Sequence, residues 1–343
     1  MTFLVWRQYR VQWAIALALL AAFAAVELVD GLHMATAWHS LLTACAGTAE
    51  SQAGPQAGPG GSCLRHDIVG VAGNDLRVLS VMVPAILGML WGAPLVAHEM
   101  ETHTTTFAWT QGITRTRWVI SKVGILLLSA AVWAGAVSAL VTWWSGPENA
   151  QRAQAFQVNY FDTQGITPIG YAVFAMALGI TAGALIRRTI PAIAVTLGGF
   201  IGLRVFFDDS IRSHLMPAVT TITSMTSTWM APGISWVLSG GVLNGAGQAV
   251  TSNGGFAGTF YDGFPATSIP AACAKVVNAR AVGGPQNADP LLSCLNREGF
   301  RQFTTYQPGS RYWAFQGIET GIYVAIAAAL LAVTFYVIRH RDA

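Results

Sequence analysis

Trp118–Trp143 reads WVISKVGILLLSAAVWAGAVSALVTW, an apolar run in which Lys122 is the only charge. A helix needs about twenty predominantly apolar residues to cross the hydrocarbon core of a bilayer, and this run is longer than that. It reads as a membrane span, and the rest of the chain has to be organised around it. Composition agrees: 53% of the residues are hydrophobic and 10% are charged, against roughly 25% charged in an ordinary soluble domain. The net charge of +3 comes from basic residues scattered among apolar blocks, so there is no nucleic-acid footprint and no nucleic-acid partner is expected.

Working outward, five further segments have the required character: Trp13–Val29, Leu79–Ala97, Ile169–Ile186, Pro191–Phe207 and Gly317–Ile338. The first and fifth are short, but aromatic and charged residues at their ends can snorkel to the interface. No small-residue cleavage site follows the first, where the chain continues Asp30-Gly31-Leu32-His33, so it is expected to be retained as a helix. The expected fold is therefore an all-α integral membrane protein with six transmembrane helices. Arg7, Arg10, Arg115, Arg117, Lys122, Arg187, Arg188, Arg339 and Arg341 lie close to span ends on one side. By the positive-inside rule that side is cytoplasmic, which places both termini inside. Residues 98–117, 187–190 and 339–343 are then cytoplasmic, and 31–78, 144–168 and 208–316 face outward.

Cys45, Cys63, Cys273 and Cys294, the four cysteines, all fall in the outward segments. An oxidising exterior favours disulfides, and no CxxC spacing supports zinc. Four cysteines allow three connectivities; the local pairs Cys45–Cys63 and Cys273–Cys294 are the expected ones. Gly47–Ser62 is a Gly/Pro/Ser/Gln-rich connector, the composition of a flexible tip. The segment 208–316 is too long for a bare loop and is expected to form a disulfide-stabilised external subdomain. Within it, Pro217–Leu243 reads as an interfacial or re-entrant piece, not counted as a span.

The cytoplasmic segment before the opening stretch contains His98-Glu99-Met100-Glu101-Thr102-His103. Zinc binding of the HExxH type needs histidines four apart on one helix face. His98 and His103 are five apart, about 140° around a helix, so no metal is expected there.

A better account comes from a resemblance. Trp6-Arg7-Gln8-Tyr9-Arg10 leads into the first span. Trp91-Gly92-Ala93-Pro94-Leu95-Val96-Ala97-His98-Glu99 follows in the second, and then Glu101, Thr104, Trp109-Thr110-Gln111, Thr114-Arg115, Arg117-Trp118 and Lys122. With this pattern the chain resembles the permease subunit of ABC-2 type ABC exporters, particularly actinobacterial ones. The resemblance implies a multi-pass protein of the bacterial plasma membrane. It further implies a homodimer, and a separate ABC ATPase subunit that binds ATP and Mg, with no cofactor held by this chain. It also implies that the segment around Glu99–Lys122 is a coupling helix docking on the ATPase. Phe107, Trp109 and Ile113 would form its apolar knob and Glu99, Glu101, Gln111, Arg115 and Arg117 its polar rim, as interface cores require.

The chain contains no GxxxxGK[ST] phosphate loop and no GxSxG elbow, so no enzymatic activity of its own is expected. Ionisable residues within spans are the default functional candidates; Glu27 and Arg204 qualify, each near the outer end of its helix, where both can snorkel to the interface or pair with each other or with Asp208. Pro84, Gly88 and Pro94 in the second span and Gly198, Gly199 and Gly202 in the fifth suit close packing or bending. Two functions remain open on sequence: export of an amphipathic or apolar molecule (a drug, natural product, lipid or peptide) by an ATP-driven transporter, and ligand sensing by a membrane-anchored external subdomain.

Overall fold

A computed structural model of the chain describes residues 14, 18, 21–33, 35–36, 39–40, 43, 80–94, 97, 101, 115–145, 156–225, 235–252, 270–273 and 289–340. Its helices are α1 (residues 21–33), α2 (residues 80–94), α3 (Arg115–Trp144), α4 (Thr167–Ile186), α5 (Thr189–Phe206), α6 (Asp289–Arg297) and α7 (Tyr312–His340). A π turn, Phe207–Ile211, and a 3-10 turn, Arg212–His214, prolong α5. Among the described residues, four segments are long and apolar enough to cross a membrane: Ile120–Trp144, Thr167–Ile186, Thr189–His214 and Gly309–His340. The first two expected spans are represented by α1 and by the shorter apolar helix Ser80–Gly92.

The helix α4 (TPIGYAVFAMALGITAGALI) has no charge and many small residues. A helix apolar all round belongs inside, and 72% of α4 is buried against 28% of α5 and of α7. Leu87 of α2, Leu126 and Trp133 of α3, and Met176 and Ile180 of α4 form one core. Tyr171 and Phe174 of α4, Phe200 and Phe207 in and after α5, and Tyr323 of α7 form another. On the α2 side, α4 packs backbone to backbone. A side-chain carbon on Gly179 would lie 2.4 Å from the Gly88 carbonyl oxygen, and one on Gly183 would lie 2.6 Å from that of Ala93. Between helices in lipid there is no hydrophobic drive, so small residues that permit such approach supply the attraction. In α2 the contact coincides with a π turn, Gly88–Gly92.

Between α5 and α7 the chain departs from the all-helical expectation. Strands β1 (Val219–Ser224), β2 (Trp236–Leu243), β3 (Ala249–Ser252) and β4 (Arg301–Gln307) form one antiparallel sheet in the order β1-β4-β2-β3. Pro217–Leu243, expected as an interfacial or re-entrant piece, instead supplies β1 and β2. The reason is local: β-branched threonines and an isoleucine at 220–223 favour extended backbone, and β4 satisfies the hydrogen bonds of β1 from Val219↔Tyr306 to Ser224↔Arg301. Among the described residues the protein is thus mostly helical with one small sheet. Cys273 and Cys294 form a disulfide, Cα atoms 5.8 Å apart, inside a cluster that includes Met225, Val242, Leu291, Leu295 and Phe300. An aromatic seam of Phe156, Phe161, Trp236, Tyr312 and Phe315 joins the sheet to the helices.

Candidate functional site

The chain turns from α4 to α5 through two residues, Arg187 in the left-handed region (φ 59°) and Arg188 extended. Consecutive helices therefore run antiparallel, and the C-terminal end of α5 returns to the start of α4. Arg204, Asp208 and Arg212 follow one another at intervals of four. On a helix that spacing keeps three side chains on one face. Opposite them stand Asp162, just after the single helical turn Val158–Phe161, Tyr171 of α4 and Glu319 of α7.

These six residues form one buried network. Arg212 donates from Nε to Glu319 Oε2 (2.9 Å) and from Nη2 to Asp162 Oδ1 (2.6 Å) and Glu319 Oε1 (2.7 Å). The same Nη2 is 2.5 Å from Asp208 Oδ1 and 3.1 Å from the Tyr171 hydroxyl. Arg204 donates to Asp162 Oδ2, lies 4.0 Å from Asp208, and stacks over the Tyr171 ring, 4.3 Å from its centroid. The Tyr171 hydroxyl is within hydrogen-bond distance of Asp162 Oδ1 (3.0 Å) and of Glu319 Oε1. Asp162, Glu319 and Arg212 have almost no exposed surface, while 13% of the Asp208 side chain is exposed. Mutual neutralisation is what makes such burial tolerable, because a lone charge there would cost several kcal/mol by order of magnitude.

One oxygen from each of Asp162, Asp208 and Glu319 lies within 4.8 Å of the others, a spacing a metal ion could bridge. Arg212 Nη2 already stands among those three oxygens, so the position is filled by a guanidinium. Beside the network, Gln316 stitches α7 to the start of α4. Its carbonyl oxygen accepts from the Ile166 and Thr167 amides at 2.9 and 3.0 Å, and its amide donates to the Phe161 carbonyl oxygen at 3.0 Å.

At the far end of α5 a second feature stands out. Glu101 accepts from the Thr189 amide (3.0 Å) and the Thr189 hydroxyl (2.7 Å). A carboxylate at a helix start satisfies an orphan amide and meets the positive end of the helix dipole. Of the expected coupling residues, Glu101 alone has a described side chain. Glu99, Phe107, Trp109 and Gln111 lie outside the described residues, as do His98, His103, Cys45 and Cys63; for Arg115 and Arg117 only the backbone at the start of α3 is described.

Of the two intramembrane candidates, Glu27 lies buried in α1. Three residues on, Asp30 accepts from Trp144 Nε1 at 3.0 Å, tying α1 to α3. Arg204 is in the network, paired to Asp162 and near Asp208. Sequence reasoning missed Asp162, Tyr171, Arg212 and Glu319. The four-residue spacing of Arg204, Asp208 and Arg212 was the available signal, together with a glutamate inside the expected last span.

The family described as ABC-2 membrane transporter related matches residues 17–212, a range that ends on Arg212. No curated protein and no solved structure matches the chain.

Proposed function

The chain belongs to the ABC-2 membrane transporter related family, and from that premise we propose that it is the permease subunit of an ATP-driven exporter. In this reading it works as a homodimer in the bacterial plasma membrane and moves an amphipathic or apolar molecule outward. A separate ABC ATPase supplies the energy, since this chain has no phosphate-binding loop of its own. The segment from Glu99 to Lys122 docks on that ATPase, and the sheet with its disulfide faces the exterior.

The observation that carries the coupling role is the Glu101–Thr189 cap. It joins the docking segment to one end of α5, and the charged network grips the helical extension at the other end. A displacement at residue 101 therefore has a stiff rod along which to travel to the ends of α4 and α7. Small, tightly packed glycines between α2 and α4 restrict neighbouring helices to sliding or hinging as bodies, since packed interfaces do not deform continuously.

Isolation of the tagged chain from its own membranes in a mild detergent tests the reading. A P-loop ATPase subunit is expected to accompany it, and the pair is expected to concentrate an amphipathic fluorescent compound in inverted vesicles on ATP addition. Recovery of the chain without any ATPase, together with ligand binding by the sheet subdomain, would instead establish a sensor.

A further inference from the structure

Among the described residues, the buried network has one acid more than it has bases. Asp162, Asp208 and Glu319 bring three carboxylates, and Arg204 and Arg212 bring two guanidiniums. Fully ionised, the group carries an excess negative charge in a place where water cannot screen it, which is strongly unfavourable. The hydrogen shortage is local to Tyr171 and Arg212 Nη2, whose close contacts outnumber their hydrogens, while Arg204 Nε and Nη1 carry hydrogens that meet no acceptor. The Tyr171 hydroxyl touches two carboxylate oxygens, Asp162 Oδ1 and Glu319 Oε1, but has one hydrogen to give. Arg212 Nη2 has two hydrogens for Asp162 Oδ1, Glu319 Oε1, Asp208 Oδ1 and the Tyr171 oxygen. The two carboxylate contacts of Tyr171 are thus served by one hydrogen, and two hydrogens of Arg212 Nη2 face four close oxygens, of which Asp208 Oδ1 is left without a hydrogen bond.

We propose that the network of Asp162, Tyr171, Asp208 and Glu319 with Arg204 and Arg212 is a binding site for one exchangeable proton. The proton belongs to the acidic set as a whole, as it must when interacting groups titrate together. It balances the charge and provides the hydrogen missing between Tyr171 and one of its two carboxylates. A metal cation does not meet the same need, because Arg212 Nη2 stands at the point where the three carboxylates converge. Asp208, the only acid of the three with exposed surface, is the door through which the proton exchanges with water. Other polar groups facing the set are Tyr323 and Gln316 of α7, with Tyr312 behind Gln316; they leave the count unchanged, because a neutral hydroxyl or amide adds no charge. Loss of the proton weakens the grip between the ends of α4, α5 and α7, so proton exchange at this site governs how firmly that end of the bundle stays closed. The proton site rests on the geometry of these six side chains, whatever the chain transports.

Infrared spectroscopy of the full chain in lipid nanodiscs tests it. The protein at neutral pH is expected to show the carbonyl stretch of a protonated carboxyl, shifted by deuterium exchange and lost on raising the pH. Glu319→Gln leaves two acids to two arginines and is expected to abolish the band; Asp208→Asn does the same and serves where Glu319→Gln does not fold. Glu27→Gln, which removes the buried acid of α1, is expected to leave the band in place. The folded chain holds a proton that an unfolded one releases above about pH 4. Stability therefore falls as pH rises, about tenfold in the folding constant per pH unit until the proton is lost, and Glu319→Gln flattens that slope. Absence of the band in the unaltered protein, its loss only in Glu27→Gln, or its appearance only when sodium is replaced by choline would overturn the proposal, the last in favour of a bound monovalent cation.

Discussion

Near its N-terminal end α4 is held by charge: Tyr171, with Asp162 just ahead of the helix, meets two arginines and Glu319. From Ala175 to Gly183 the same helix is held by the absence of side chains, Gly88, Gly179 and Gly183 letting backbones touch. The first kind of contact is long-range, directional and sensitive to every partner; the second is local and sensitive only to volume. In a bilayer both replace the hydrophobic effect, which cannot favour one apolar helix face over lipid. One end of α4 is thus built to respond to charge and the other to resist deformation.

Breaking the charged end is expected to have the largest effect. Arg212→Met strands Asp162, Asp208 and Glu319 around an empty centre, and removal of one partner from a buried ion pair costs about 3–5 kcal/mol. Thermal unfolding in detergent should show a large drop in midpoint or a loss of folded yield. At the packed end, Gly179→Ala drives a methyl into the Gly88 carbonyl oxygen, and overpacking of this kind costs about 1–3 kcal/mol. Its midpoint should fall by less than that of Arg212→Met, and its decrement from the unaltered protein should be the same at every pH.

Glu101→Ala removes the cap on α5, a change of about 1 kcal/mol. It should appear as faster amide hydrogen exchange confined to the first turn after Thr189, and, on the proposed function, as ATP hydrolysis no longer matched to transport. The smallest effect sharpens the contrast. A side-chain carbon on Gly198 would meet nothing within 4 Å, so Gly198→Ala should cost no stability and, by helix propensity, add about 0.5–1 kcal/mol. A large loss there would show that α5 is covered by another chain.

Legibility from sequence followed the same division. Long apolar runs such as Trp118–Trp143 and Gly317–Ile338 announce themselves because every residue contributes to one signal. The sheet was missed because β4 turns polar residues inward: Gln302, Thr304 and Tyr306 are its buried alternates, so hydrophobic alternation is absent. Arg204, Asp208 and Arg212 are readable as one helix face from their spacing of four. Asp162 and Glu319 join them across 50 and 107 residues from Arg212; no local pattern encodes that meeting, and Glu319 falls outside the range the family match covers.

The two-residue turn at Arg187–Arg188 carries a consequence in time. It makes α4 and α5 a single hairpin, so Asp162, Asp208, Arg204 and Arg212 come together as soon as that hairpin has left the ribosome, two acids against two bases. Glu319 is synthesised 107 residues after Arg212, a delay of about 5–20 s at ordinary elongation rates. The half-built protein is therefore electrically balanced while it waits, and the odd charge arrives only with the last helix, after the whole sheet has been made.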